Sequence, residues 1–195
     1  FKDSISRCLR LAPGSLGGCI RRSGGGCLPA RILLSELDWD LMASSNVPEE
    51  GKPRRDMVIT DGMELTLGET TVRLYITPGH TLGTVSALVP LKDGEQWHMG
   101  SIWGGNRVGT RYYSTPAAGF QAYYEAAQRY REIVMRARAD VYIASHIAQD
   151  KTLDKINALR FRGRADPHPF VGGDAPERHL TVVGECAGAR WARHR

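Results

Sequence analysis

Long apolar runs are missing from this 195-residue chain. No window reaches the roughly 18 to 20 consecutive apolar residues that carry a helix across a bilayer, which excludes a spanning helix. Cysteine is nearly absent from most of the chain: of four in all, only Cys186 lies beyond residue 31, so no disulfide framework organises the main body. No internal repeat is present. Aromatic residues are sparse at 8%, and they do not interleave with the basic ones in the way that marks a nucleic-acid surface. What remains, with 42% apolar and 24% charged residues, is an ordinary globular composition of a length that fits one domain.

The formal net charge of +5 belongs to one end. Residues 1–31 hold six basic side chains (Lys2, Arg7, Arg10, Arg21, Arg22, Arg31) against Asp3, whereas residues 32–195 hold 20 of each sign. Cys8, Cys19 and Cys27 crowd into the same stretch, which has breakers every few residues and no sustained period of 2 or 3.6. From Ala30 onward the pattern becomes that of a folded domain.

Residues 30–34 read as a short buried strand, Ser35 as a helix cap, and residues 36–42 as the helix that follows. Strands are expected at 57–60, 64–67 and 71–77, turning at Asp61-Gly62 and Gly68-Glu69, with Val72, Leu74 and Ile76 alternating against Arg73 and Tyr75. Residues 84–90 and 96–99 form a second hairpin through Lys92-Asp93-Gly94. A long loop, 104–116, leads to the strongest helix, 117–138, whose stripe of Phe120, Tyr123, Tyr124, Ala127, Tyr130, Val134 and Ala137 is core-like. A strand at 141–144 and a short helix at 151–160 follow, and the Pro, Gly and Arg content beyond Gly163 predicts a loosely held tail.

Two of the six histidines sit where chemistry usually sits. His80 lies in Thr77-Pro78-Gly79-His80-Thr81-Leu82-Gly83-Thr84 between two strands, and His146 ends Ala144-Ser145-His146 just past a strand. Glycine on both sides of His80 lets the backbone turn sharply and lets a ligand or metal come close. Strand ends are where layered α/β structures place their sites. Taken singly, each of these histidines is also explained as a hydrogen-bonded loop residue. His98, His168, His179 and His194 are read as structural or tail residues, and Arg162, Arg164, Arg190, Arg193 and Arg195 as a solvated surface.

Taken together, the TPGHTLGT string, the Met99-Gly100-Ser101 segment, the long loop with its amphipathic helix and the strand ending in Ala144-Ser145-His146 resemble the metallo-β-lactamase fold superfamily. Within it, the segment GFQAYYEAAQRYREIVMRARADVYIASH is most similar to the third subclass of metallo-β-lactamases. The resemblance covers roughly residues 30–170. It implies that His80 matches a ligand of the first zinc, His146 a ligand of the second, and Ser101 a position in contact with substrate. That position is a bridging Asp in most hydrolases of the superfamily, a Cys in another subclass and a Ser in the third. The implied chemistry is hydrolysis of an ester, amide or lactam in a small-molecule substrate by a hydroxide on two zinc ions about 3.5 to 4 Å apart. Ligands of adjacent metals should bring the His80 and His146 side chains within about 8 Å.

The family's remaining ligands come from a His-x-His-x-Asp-His motif, and this sequence contains none. It should fall about fifteen residues before Ala30. Codons compatible with the stretch from Ala12 to Ile20, read one base later, permit the string His-Pro-Asp-His-Trp-Gly-Gly, although the overlap of Arg10 and Leu11 never encodes the motif's first His. Residues 1–29 are therefore expected to be a disordered or out-of-frame segment, for which an insertion or deletion near codon 29 of the DNA is the required signature. Residues 30–170 are expected to be a partial metallo-β-lactamase-like domain and 171–195 a tail. The expected fold class is α/β, a partial αββα sandwich that exposes apolar surface, a fragment of a longer domain. Zinc binding should be weak or absent and turnover negligible, with no nucleic-acid or membrane partner. Two alternatives are a non-catalytic fold remnant or interaction module, and a basic nucleic-acid-binding arm at residues 1–31.

Overall fold

The computed structural model describes residues 18–21 and 27–195, with side chains from residue 31 onward. The expectations for residues 1–29 therefore lie largely outside the described residues. Within that stretch β1 (Gly18–Arg21) pairs antiparallel with β2 (Cys27–Ala30). The chain forms two compact units, residues 1–59 and 60–195, and the composition break at residue 29 falls inside the first.

In the first unit β3 (Leu33–Ser35) and β4 (Met57–Ile59) pair in parallel, which requires a crossover, and α1 (Glu36–Ala43) supplies it. Ser35 caps α1 as expected, its Oγ accepting from Asp38 N at 3.3 Å. Buried Trp39 fastens the helix to the strand by donating from Nε1 to Met57 O at 2.8 Å. Asp56 accepts from Ile32 N at 3.1 Å and from Arg54, and these bonds hold its carboxyl below the usual carboxylate range.

The second unit is built on a five-stranded sheet in chain order: β5 (Met63–Leu67), β6 (Thr70–Ile76), β7 (Val85–Asp93), β8 (Gln96–Ile102) and β9 (Val141–Ile143). All pairs are antiparallel except β8–β9, whose parallel register requires the long excursion through α2 (Pro116–Arg136). Both expected hairpins are present. The β7–β8 turn falls at Gly94-Glu95, slightly later than read from sequence, with Gly94 in the left-handed region at φ 62°. Thr115 caps α2, accepting from Ala118 N at 3.1 Å, and Pro116 fits the first turn.

Successive side chains alternate between the two faces of the sheet. Leu88, Ser101 and Trp103 are buried on the face that α2 covers, in a core with Tyr123, Ala126, Ala127, Tyr130 and Val134. The alternate positions Val72, Leu74, Ile76, Val89, Leu91, Ile102 and Ile143 are only half-buried.

The C-terminal residues depart from the expectation of a loose tail. Ala175–Arg193 form α4, a 19-residue helix packed along α2, preceded by the short helix α3 (Thr152–Leu159). Leu180, Gly184 and Ala187 are buried at helical spacing. At Gly184 an added Cβ would already touch Ala127 Cβ at 3.5 Å, and at Gly188 it would press on the Tyr124 ring at 3.0 Å. Small residues thus let the helices approach closely, and Arg131 pairs with Glu177 across them. The glycines that read as breakers are the contact stripe.

Helix α4 also carries a pH-sensitive contact. His179 stacks on Tyr142 of β9 with ring centroids 4.2 Å apart, and its Nε2 lies 3.1 Å from the Tyr142 hydroxyl. Burial pushes the imidazole pKa below its ordinary value and raises the Tyr142 hydroxyl to about 12. A histidine whose folded pKa is depressed leaves stability intact above the unfolded value near 6.5 and lowers it as pH falls further, because the unfolded chain then binds the proton more readily. The urea midpoint is expected to drop between pH 7.5 and 5.5 more steeply in the natural chain than in His179→Gln. Equal slopes in the two proteins would contradict this assignment.

Candidate metal centre

One end of the sheet gathers three loops. Strand β6 ends at Ile76, opposite Val85, and β8 and β9 end together at Ile102 and Ile143. The loops at 77–84, 103–109 and 144–146 therefore leave from the same rim. Both sequence-predicted histidines lie in them, and both are exposed.

The middle loop holds the outer two. His80 Nδ1 lies 2.8 Å from the Arg107 carbonyl oxygen, an acceptor only, so Nδ1 carries the proton and donates. The other ring nitrogen, Nε2, is thereby left with its lone pair. A backbone carbonyl fixing the tautomer in this way is what a metal-ligating imidazole requires. One residue earlier, Asn106 Nδ2 donates to Ser145 Oγ at 2.5 Å, next to His146, and Ser145 Oγ reaches the Trp103 carbonyl at 3.5 Å. The His146 carbonyl accepts from Gln149 N at 3.0 Å, closing the turn that carries this residue out of β9.

Glycine makes the loop contacts close enough. Gly79, at φ 143°, rests on Tyr123, where an added Cβ would come within 2.5 Å of the ring. Gly109 N donates to Gly79 O at 2.8 Å, and a Cβ on Gly109 would sit 1.9 Å from the His80 carbonyl oxygen. Beneath the loop, Trp103 Nε1 donates to the Tyr123 hydroxyl at 2.9 Å, and that hydroxyl donates to the Gly105 carbonyl. Burial raises the Tyr123 hydroxyl pKa above its ordinary value, which keeps it a donor at every pH of interest.

Ser101 is not brought to this rim. It lies within β8, only 2% exposed, and its hydroxyl donates to Tyr130 OH at 3.4 Å, which in turn donates to Ala87 O at 2.7 Å. The position expected to touch substrate is instead part of the polar seam between sheet and α2.

Asn106 and Arg107, through its carbonyl, supply scaffolding that the sequence did not single out, and Tyr123 and Ser145 join them. Only the glycine pattern of Gly104-Gly105 and Gly109 hinted that this loop approaches other backbone closely.

The remaining histidines are engaged elsewhere. His98 bonds to Asp140, His168 accepts from Phe170 N, His179 faces Tyr142, and His194 stacks on Phe120 with centroids 5.5 Å apart. Residues 1–31 contain no histidine. Among the described residues no group of three or more His, Cys, Asp or Glu side chains converges as a metal site. A catalytic zinc takes three protein ligands and an open position. The described residues therefore do not assemble a complete zinc centre, although His80 has the right tautomer for one.

No family model matches the sequence, and no curated protein does. Solved structures do match in fold. The subclass B3 metallo-β-lactamase BJP-1 of Bradyrhizobium japonicum superposes with a TM-score of 0.65 at 20% identity, over 85% of this chain and 64% of that one. FEZ-1 from Legionella gormanii gives 0.64 at 19% identity, over 85% and 66%. GOB-18 from Elizabethkingia meningoseptica gives 0.61 at 19% identity, over 84% and 63%. The chain thus has a partial metallo-β-lactamase fold, an incomplete αββα sandwich resembling subclass B3. It spans just under two thirds of the length of BJP-1.

Proposed function

We propose that the chain belongs to a lineage of zinc-dependent hydrolases acting on an ester, amide or lactam of a small molecule, and that as spelled here it is a fold remnant without appreciable turnover. The observation that carries the lineage is the His80 to Arg107 bond, which prepares one imidazole nitrogen for a metal at a rim shared with His146. What supports the loss of turnover is the donor set among the described residues: two histidines at this rim, with every other histidine committed elsewhere. Zinc would supply the nucleophile and polarise the scissile carbonyl in a complete site.

Competition against a chromophoric chelator is expected to show zinc binding to the full chain weaker than micromolar. His80→Ala and His146→Ala should remove whatever specific binding there is, and hydrolysis of a chromogenic β-lactam should stay at background. Two zinc ions held stoichiometrically, with turnover lost in His80→Ala, would overturn the reading of an incomplete centre. Residual zinc binding indifferent to both substitutions would remove the metal lineage from this rim.

A further inference from the structure

A cavity of about 420 Å3 lies beside the α2–α4 seam, and neither His80 nor His146 lines it. The two helices run antiparallel, with Arg131 against Glu177 at one end and Phe120 against His194 at the other. Gly184 and Gly188 bring α4 close to α2 along the middle of the seam. On the flank of that contact Val183, Cys186, Ala187 and Arg190 recur at helical spacing, and Phe120 and Tyr123 of α2 complete the wall. Residues of the loop after β8 close the third side. The volume falls in the range of small-molecule sites, roughly 300 to 1,000 Å3.

The helices supply an apolar wall, and the polar groups beside it are donors without a counter-charge. The Tyr123 hydroxyl is spent within the protein, accepting from Trp103 Nε1 and donating to the Gly105 carbonyl. Asn106 donates from Nδ2 to Ser145 Oγ, and its Oδ1 is enclosed, so this amide offers no acceptor to an occupant. Thr110, the Cys186 thiol, Arg107 and Arg190 remain.

Both arginines are exposed, and among the described residues neither guanidinium has a carboxylate partner. Arg107 is engaged through its carbonyl, which holds His80 and leaves the side chain free. The Arg190 guanidinium carbon lies 6.0 Å from the centroid of the Phe120 ring, which puts this charge beside the apolar wall. No Asp or Glu lines the cavity. Glu185, next to Cys186 on α4, is exposed outside the lining, and Glu125 of α2 accepts from Gln121. His194, stacked on Phe120, adds no negative charge.

We infer that this cavity binds a small apolar carboxylate, a ring or short acyl chain bearing one negative charge. Its body lies between α2 and α4, and its carboxylate meets Arg190 and Arg107. A guanidinium presents a planar fork of donors that matches a carboxylate and suits a neutral amide less well. Because both arginines are exposed, water screens them, and burial of the apolar body supplies most of the affinity while the charge supplies selectivity.

The test titrates 2-naphthoate, 2-naphthamide and acetate into the full chain and follows amide shifts by NMR, with EDTA present so that no metal takes the carboxylate. Naphthoate is expected to bind about fivefold more tightly than naphthamide, the discounted worth of two exposed charge pairs. Acetate, which lacks the apolar body, should not saturate. Bound naphthoate should also slow alkylation of Cys186, read by mass spectrometry of its peptide. Arg190→Gln, at an exposed position, should cut the preference over naphthamide to about twofold or less. His146→Ala should leave the affinity unchanged, which separates this result from the zinc reading. Equal affinities for naphthoate and naphthamide, or no saturable binding of either, would overturn the proposal. So would naphthoate binding that leaves Cys186 alkylation at its free rate, keeps its preference in Arg190→Gln, or weakens in His146→Ala, since each puts the anion elsewhere.

Discussion

Trp103→Ala is expected to cost about 3–5 kcal/mol, the range for deleting a fully buried large aromatic side chain. Trp103 is 1% exposed and lies at the centre of an aromatic cluster, edge-on to Tyr123 at 5.5 Å and tilted over Tyr130 at 5.7 Å. Its removal opens a cavity between sheet and α2 and also takes the indole N–H from the Tyr123 hydroxyl, which positions the Gly105 carbonyl. Since domains of this kind are stable by only about 5–15 kcal/mol, the loss is a large share of the whole. Trp103→Phe, which keeps most of the volume, should cost far less. Urea denaturation followed by circular dichroism measures both, and a cost under about 1 kcal/mol for the alanine variant would mean that the core lies elsewhere.

Gly109→Ala should have the largest effect on the rim. Gly109 has φ −92°, which any residue adopts, so the penalty is steric: the new methyl would sit 1.9 Å from the His80 carbonyl oxygen, which is backbone. Something must move, and the two contacts in the way are Gly109 N to Gly79 O and His80 Nδ1 to Arg107 O. Forcing an extra carbon into such a space typically costs about 1–3 kcal/mol. More telling than the stability is the His80 tautomer, which imidazole 15N shifts report directly. The Nδ1–H form should dominate in the natural chain and give way to a mixture in Gly109→Ala. An unchanged tautomer would mean that the 103–109 loop does not hold the imidazole.

How much of this was legible in the sequence varies along the chain with physical cause. The β5–β6 and β7–β8 hairpins were readable because their turns and alternation are local: Gly68 and Gly94 both take φ near +60°, and Val72, Leu74 and Ile76 repeat every second residue. Helix α2 was readable because its apolar stripe has the helical period over 21 residues. Helix α4 was not, because beyond Leu180 its buried positions are Gly184 and Ala187, with half-buried Gly188 against Tyr124, residues whose value lies in close approach to α2 and not in hydrophobicity. The placement of His80 and His146 at strand ends was likewise readable, as was the long loop after β8, while that loop's contacts with the histidine loops were not. Ser101, singled out by resemblance alone, illustrates the reverse, since nothing local announces that its hydroxyl lies against Tyr130.

The sequence by itself determined which segments pair or coil and where the charge and the histidines fall, since periodicity and turn chemistry act between near neighbours. Only the tertiary structure decided which nitrogen of His80 and of His98 carries the proton, because Arg107 and Asp140 lie 27 and 42 residues from their partners and act through contacts that chain order does not announce. Those two distant hydrogen bonds separate a histidine that is merely present from one with a defined acceptor.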